Sequence, residues 1–146
     1  MNRLNLQWNV PDLKPGLSKT IQKTIGKSDN LAYGHGSLTE LIPIPSLSAL
    51  MTEAAIRAVD PLLPQGYATI AISSAATYLS PTFLGMTITV LATLVGIDKR
   101  RLVFEIMAFD ELGQISQGRH ERHIVNAEQF MRTAHKRCDP IKEIAK

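Results

Sequence analysis

His120, Glu121, Arg122 and His123 place two imidazoles, a carboxylate and a guanidinium side by side in the chain. Such a set could hold a metal or move protons. Residues 114–125, QISQGRHERHIV, read as a strand, and successive strand side chains point to opposite faces. His120 and His123 differ in parity, so they cannot share one metal without a bulge, and no ligand set of the usual zinc spacing accompanies them. The other reading is a paired strand surface with a Glu–Arg contact. His35, between glycines in GHG, has an ordinary pKa suited to a base, and glycine gives its loop mobility. A lone loop histidine is more often simply exposed. The GHG lacks the G-x-G-x-x-G pattern and the βαβ setting of a dinucleotide site. Ser48 and Thr52 are hydroxyls four apart on a helical stretch, so they sit one above the other. Tyr78 ends a strand just before Pro81. Thr52 and Tyr78 together could hydrogen-bond a ligand carbonyl; equally, Tyr78 could fill space and bond a backbone group.

The element that must carry Thr52 is Pro45 to Asp60, PSLSALMTEAAIRAVD, closed by Pro61. At about 100° per residue, Ser46, Glu53, Arg57 and Asp60 fall within a polar stripe about 60° wide. Nearly all other positions are apolar, which predicts a helix enclosed by the rest of the protein. Glu53 lies about 100° round from Thr52 and has Arg57 at i+4 as a surface partner.

Around this helix the chain reads as strands. Residues 1–16 look irregular, with Trp8 an anchor, and 17–26, LSKTIQKTIG, read as an edge strand bearing lysines. A long connection, 28–44, holds the GHG; such lengths are often functional. In YATIAISSAATYLS, residues 67–80, an unbroken strand would send Tyr78 to the face of Ile70 and Ile72. Residues 86–97 put Met86, Ile88, Val90, Ala92 and Leu94 on one face and Thr87, Thr89 and Thr93 on the other. A turn at Asp98-Lys99-Arg100 leads to 101–110, where Leu102, Phe104, Ile106 and Ala108 share a face. The strand 114–125 reads as polar on both faces, which suits an interface or a site. Asn126 is a plausible N-cap for a helix over 126–137. One strand, a long helix and a meander of four strands predict an α+β hot-dog fold: a five-stranded antiparallel sheet around one central helix, closed by a short C-terminal helix; a split arrangement of the same elements in another α+β fold is the alternative.

With 146 residues, 45% apolar and 20% charged, the chain suits a single domain, 1–146, with a real core. Within it, 1–16 form an irregular N-terminal segment and 126–146 a C-terminal helix and tail. The net charge is +3 and the pI near 9.2, with basic residues gathered toward both ends. Such a rim is solvated surface or attracts a polyanionic ligand. Nucleic acid is not expected, because the strands lack basic–aromatic interleaving. The single cysteine, Cys138, excludes an internal disulfide and suits a reducing compartment. MNRLNLQWNVPDLKPG has no signal-peptide pattern, and no apolar run reaches membrane-span length. The expectation is a cytoplasmic protein without membrane partners, metal or bound cofactor.

Four stretches bring a family into view: LMTEAAIRAVDPLLPQG, YLSPTFLGMTITVLATL, DKRRLVFEIMAFDELGQISQG and GRHERHIVNAEQF. In this order they resemble the hot-dog thioesterases of the fluoroacetyl-CoA thioesterase type, from about Pro43 to Phe130. The resemblance implies an acyl-CoA substrate or ligand, with coenzyme A as part of it, and a homodimer with its site at the subunit interface. It also implies a threonine before the helix, a glutamate within it and a histidine on the next strand. Thioester hydrolysis needs an activated nucleophile or water and donors for the oxyanion. Those positions are Ile44, Thr52 and Tyr78 here. Ile44 offers no hydrogen bond, and Thr52 and Tyr78 are poor bases at neutral pH. The expectation is a thioesterase-like protein with a diverged site. Ile44, Thr52 and Tyr78 would contact substrate, Thr52 and Tyr78 would occupy the catalytic positions, and His35 would be a substitute base. The alternatives are a binding module without catalysis and an interaction protein with an unused pocket.

Overall fold

The computed structural model describes residues 12–29 and 38–145. Five strands form one antiparallel sheet: β1 (Ser18–Thr24), β2 (Tyr67–Tyr78), β3 (Thr87–Asp98), β4 (Arg101–Asp110) and β5 (Gly113–Asn126). Their order across the sheet is β1-β3-β4-β5-β2, so β1 and β2 are its edges. One long helix, α1 (Ile44–Val59), packs on one face, and α2 (Ala127–Ala145) closes the chain. This is the hot-dog arrangement.

Proline explains both ends of α1. Pro43 is its extended N-cap residue and Pro45 sits in its first turn, where a missing N–H costs nothing. Pro61 follows in a 3-10 turn, Asp60–Leu62. Leu47, Ala54, Ala55 and Val59 are fully buried against Ile88, Val90 and Leu94 of β3 and Leu102, Phe104 and Ile106 of β4. The alternation expected for β3 and β4 therefore holds, with the apolar face inward. The helix is less enclosed than its composition suggests. Ala49 is exposed, and Ser48, Thr52 and Ile56 are half-buried.

Two further expectations change. β2 is not unbroken: its register to β5 shifts between Ala71 and Ser73, leaving Ile72 as the extra residue of a bulge. Before the bulge, Thr69 and Ala71 lie opposite Ile124 and Arg122; after it, Ser74, Ala76 and Tyr78 lie opposite His120, Gly118 and Ser116. Tyr78 thus reaches the helix-facing side, while Ile70, paired with His123, lies on the other. β5 does carry polar groups on both faces, and its inward ones, Ser116, His120 and Arg122, are buried beside Ile115 and Ile124. Finally, α2 continues past residue 137 to Ala145 with Pro140 inside it. Its expected cap is present, the Gln129 N–H donating to Asn126 Oδ1 at 2.9 Å.

Candidate functional site

Tyr78 is held by backbone. Its hydroxyl donates to the Ile42 carbonyl at 3.1 Å and accepts from the Thr82 N–H at 3.0 Å. These bonds join the residue before Pro43 to the turn after β2. The same two segments pair directly: Ile42 N–H donates to the Thr82 carbonyl at 3.0 Å, Leu84 N–H to the Glu40 carbonyl at 2.8 Å, and Leu41 bridges Phe83. Thr82 is fully buried, and its hydroxyl donates to Asp110 Oδ2 at 2.7 Å. Burial, together with the nearby Asp110 charge, raises the Tyr78 phenol above its ordinary pKa, against the opposing Thr82 hydrogen bond. Tyr78 therefore stays protonated at neutral pH and serves as a strut.

Thr52 lies eight residues beyond Ile44, about 12 Å along the helix axis. The polar groups of the helix separate its two flanks. Ser46 Oγ donates to the Asp29 carbonyl just past β1, and Arg57 lines a surface hollow with Lys14 and Leu17 just before β1. On the wheel, Ser48 and Thr52 fall on the other flank, toward β2. Met51, next to Thr52, packs on β5, where Ser116 Oγ lies 3.9 Å from its sulfur. Beyond this flank β2 is uncovered: Ala71 and Ser74 are exposed, and Ala76 and Tyr78 half-buried. Ser48 and Thr52 on this flank of α1, and Ser74, Ala76 and Tyr78 on the helix-facing side of β2, thus mark out a candidate cleft at the free edge of the sheet. Tyr78 is bonded to the strand-like stretch leading to Ile44. No hydrogen bond joins Thr52 to Tyr78, and the Thr52 hydroxyl has no hydrogen-bond partner among the described residues. Glu53 faces away from the cleft in an ion pair with Arg57. His35 lies outside the described residues.

A second buried polar group was not foreseen. Arg122, 4% exposed, donates from Nε to Thr69 Oγ1 at 2.7 Å, from Nη2 to the Thr69 carbonyl at 3.0 Å, and meets His120 Nε2 through Nη1 at 3.0 Å. Thr69 in turn donates to Asp60 Oδ1 at 2.5 Å. His120 Nδ1 lies 3.1 Å from Ser74 Oγ. Burial first, and the Arg122 charge second, pull the His120 pKa down to about 4. Its imidazole is neutral at physiological pH, so His120 is a structural ring packed against Phe104. His123 is exposed on the opposite face, as its parity requires. Glu121 pairs not with its neighbour Arg122 but with Arg101, which donates to both its oxygens at 2.8 and 3.1 Å. No cluster of three or more histidine, cysteine or acidic side chains suited to a metal occurs among the described residues, and no helix among them is long and apolar enough to cross a membrane.

A hollow of about 570 Å³ lies elsewhere. It crosses the outer face of the sheet between Thr77, Thr93, Glu105, Met107, Gln117 and Arg119, with the sheet between it and Thr52.

Known proteins echo this architecture. Residues 25–128 match the family model of the fluoroacetyl-CoA-specific thioesterase. The fluoroacetyl-CoA thioesterase of Streptantibioticus cattleyicolor is 30% identical over 112 residues, covering 77% of this chain and 78% of that protein. A hot-dog-like protein from Thermanaerovibrio acidaminovorans superposes with a TM-score of 0.83 at 24% identity, covering 87% of this chain and 94% of that one. A mutant fluoroacetyl-CoA thioesterase in complex with acetyl-CoA gives a TM-score of 0.78 at 24% identity, covering 86% of this chain and 98% of that one.

Proposed function

The chain belongs to the fluoroacetyl-CoA-specific thioesterase family, and we propose that it holds a small acyl-CoA in the cleft between α1 and β2, with a diverged hydrolytic site. The observation that carries this reading is the state of Tyr78. Its hydroxyl is engaged at both ends by backbone and its proton is held more tightly than in a free phenol. It cannot serve as the base that a histidine supplies. Thr52 offers a hydroxyl able to orient a carbonyl but no basicity, and Ile44 offers only apolar contact. Binding is thus better supported than turnover. A second reading, slow hydrolysis with water oriented by Thr52, draws on the unpartnered hydroxyl at the cleft.

The cleft is half of a site. β2 presents twelve residues along an unpaired edge, and none of them is charged, whereas the other edge, β1, carries Lys19 and Lys23. Lysine on an edge opposes further pairing. The asymmetry supports a homodimer joined through β2, the second copy completing the cleft, and the single cysteine fits a cytoplasmic setting. Calorimetry and hydrolysis assays with an acyl-CoA panel test the function. Binding with turnover near background is the expected result. Rapid turnover that falls on Thr52→Ala would replace it with the hydrolytic reading, and absence of any binding would overturn both.

A further inference from the structure

The buried network ends in a hydroxyl whose own proton has no partner among the described residues. A guanidinium has protons to donate and no lone pair to accept with. Arg122 Nη1, 3.0 Å from His120 Nε2, therefore requires that nitrogen to be bare. A neutral imidazole with a bare Nε2 carries its proton on Nδ1. That proton points at Ser74 Oγ, 3.1 Å away, so His120 donates and Ser74 accepts. At the other end, Thr69 Oγ1 accepts from Arg122 Nε and donates its own hydrogen bond to Asp60 Oδ1. Every group in the chain has one direction fixed. The Ser74 proton is left without a partner among the described residues, on an exposed side chain.

The backbone places this hydroxyl deliberately. In an unbroken strand with Ile72 taking an ordinary paired place, the alternation that puts Thr69 and Ala71 on the helix-facing side would turn Ser74 outward. The bulge reverses the parity, and bulges commonly re-aim a side chain beside a site. Ser74 then shares the cleft with Ala76 and Tyr78.

We propose that Ser74 is a ligand-binding residue that donates its hydrogen bond to the thioester carbonyl oxygen of an acyl-CoA, with His120, Arg122 and Thr69 as positioning residues. This rests on the reading that the cleft holds an acyl-CoA. A buried cation at the head of the chain polarises each successive bond, and a donor fixed in advance toward a carbonyl is the arrangement that stabilises developing negative charge. The same directionality excludes a serine nucleophile activated by His120. The nitrogen facing Ser74 already bears the proton, so it cannot accept another from the hydroxyl.

Calorimetric titration of the wild type and of Ser74→Ala with acetyl-CoA and with CoA tests the assignment. Loss of one neutral hydrogen bond should weaken acetyl-CoA binding by about fivefold to tenfold. CoA, which lacks the acyl carbonyl, should bind both proteins alike, and Ser74→Thr should restore acetyl-CoA binding. Equal losses for the two ligands, or no loss for either, overturn the assignment while leaving the cleft reading intact. Wild-type protein that binds neither ligand overturns both. Nitrogen-15 NMR of the His120 ring, assigned through its contact with Phe104, should show a protonated Nδ1 and a bare Nε2 at neutral pH; a proton on Nε2 also overturns the proposal.

Discussion

The Thr82 hydroxyl donates to Asp110 Oδ2 at 2.7 Å, tying the turn after β2 to the end of β4. Both residues lie in stretches that resemble the thioesterase family, and neither contacts the cleft directly. Their partner in the chain is Tyr78, which bonds the Thr82 N–H and, through Ile42, the approach to α1. Thr82→Val keeps the shape and removes the hydroxyl. Thr82 is fully buried, and its loss leaves Asp110 with the Leu112 N–H as its remaining donor among the described residues. The expected cost is about 1–3 kcal/mol in urea unfolding. A double-mutant cycle with Asp110→Asn should show coupling; additive effects would mean that the pair does not act as a unit.

Tyr78→Phe leaves the Ile42 carbonyl and the Thr82 N–H without their shared partner, at a cost of about 1–3 kcal/mol. The raised phenol pKa adds a pH signature. Below the ordinary value the phenol is neutral folded and unfolded, and its bonds contribute in full. Above it the unfolded chain ionises first, so the contribution falls as pH rises toward the folded pKa. The stability difference between wild type and Tyr78→Phe should therefore shrink on the alkaline side. A difference that grows with alkalinity would contradict the strut.

His120 titrates in the opposite sense. Its folded pKa is about 4 against an ordinary 6.5. As pH falls below 6.5 the unfolded state takes up a proton that the folded state refuses, so stability is lost between about 6.5 and 4 and the loss levels off below. At about 1.4 kcal/mol per pKa unit the total is about 3 kcal/mol. Urea midpoints from pH 7 to 4, compared with a His120→Asn variant lacking the titration, measure it. A flat profile in the wild type would show that His120 is not desolvated.

Much of this fold is visible in the chain because the signals are local. Pro45 and Pro61 bracket a helix, and strict alternation in β3 and β4 reports one buried face. The site is less legible because its groups meet across long separations. Nothing near Ser74 announces a bulge, since Ile72 is an ordinary strand residue, and one extra residue reverses the face of everything after it. HER reads as surface charge because its partners, Thr69 and Asp60, come from elsewhere in the chain. The positions where the resemblance implies catalytic groups, Ile44, Thr52 and Tyr78, are readable one by one. That Tyr78 is engaged by backbone needed the fold.

Gly118 shows how closely β5 and β2 approach beneath the helix. A β-carbon there would stand 2.4 Å from the Ala75 carbonyl oxygen and 3.1 Å from Met51 Cε. The methionine end can move, but the carbonyl belongs to the paired strand. Gly118→Ala should cost about 2–4 kcal/mol and weaken protection of the β2 amides in hydrogen exchange. Full stability would mean that β2 can shift away without loss.

The last test concerns the edge that β2 leaves open. Ile72 is 45% exposed at the bulge, in the uncharged run from Ala71 to Thr77. A lysine there contacts little within one copy, so Ile72→Lys should change monomer stability by no more than about 0.5 kcal/mol. Between two copies joined along β2, the same lysine meets its own symmetry mate near the middle of the strand, and like charges across a paired edge repel. Sedimentation velocity should therefore find a dimer for the wild type and a monomer for Ile72→Lys, with acyl-CoA binding weakened in parallel because the cleft loses its second wall. A monomeric wild type that binds acyl-CoA at full affinity would show that one copy holds the whole site.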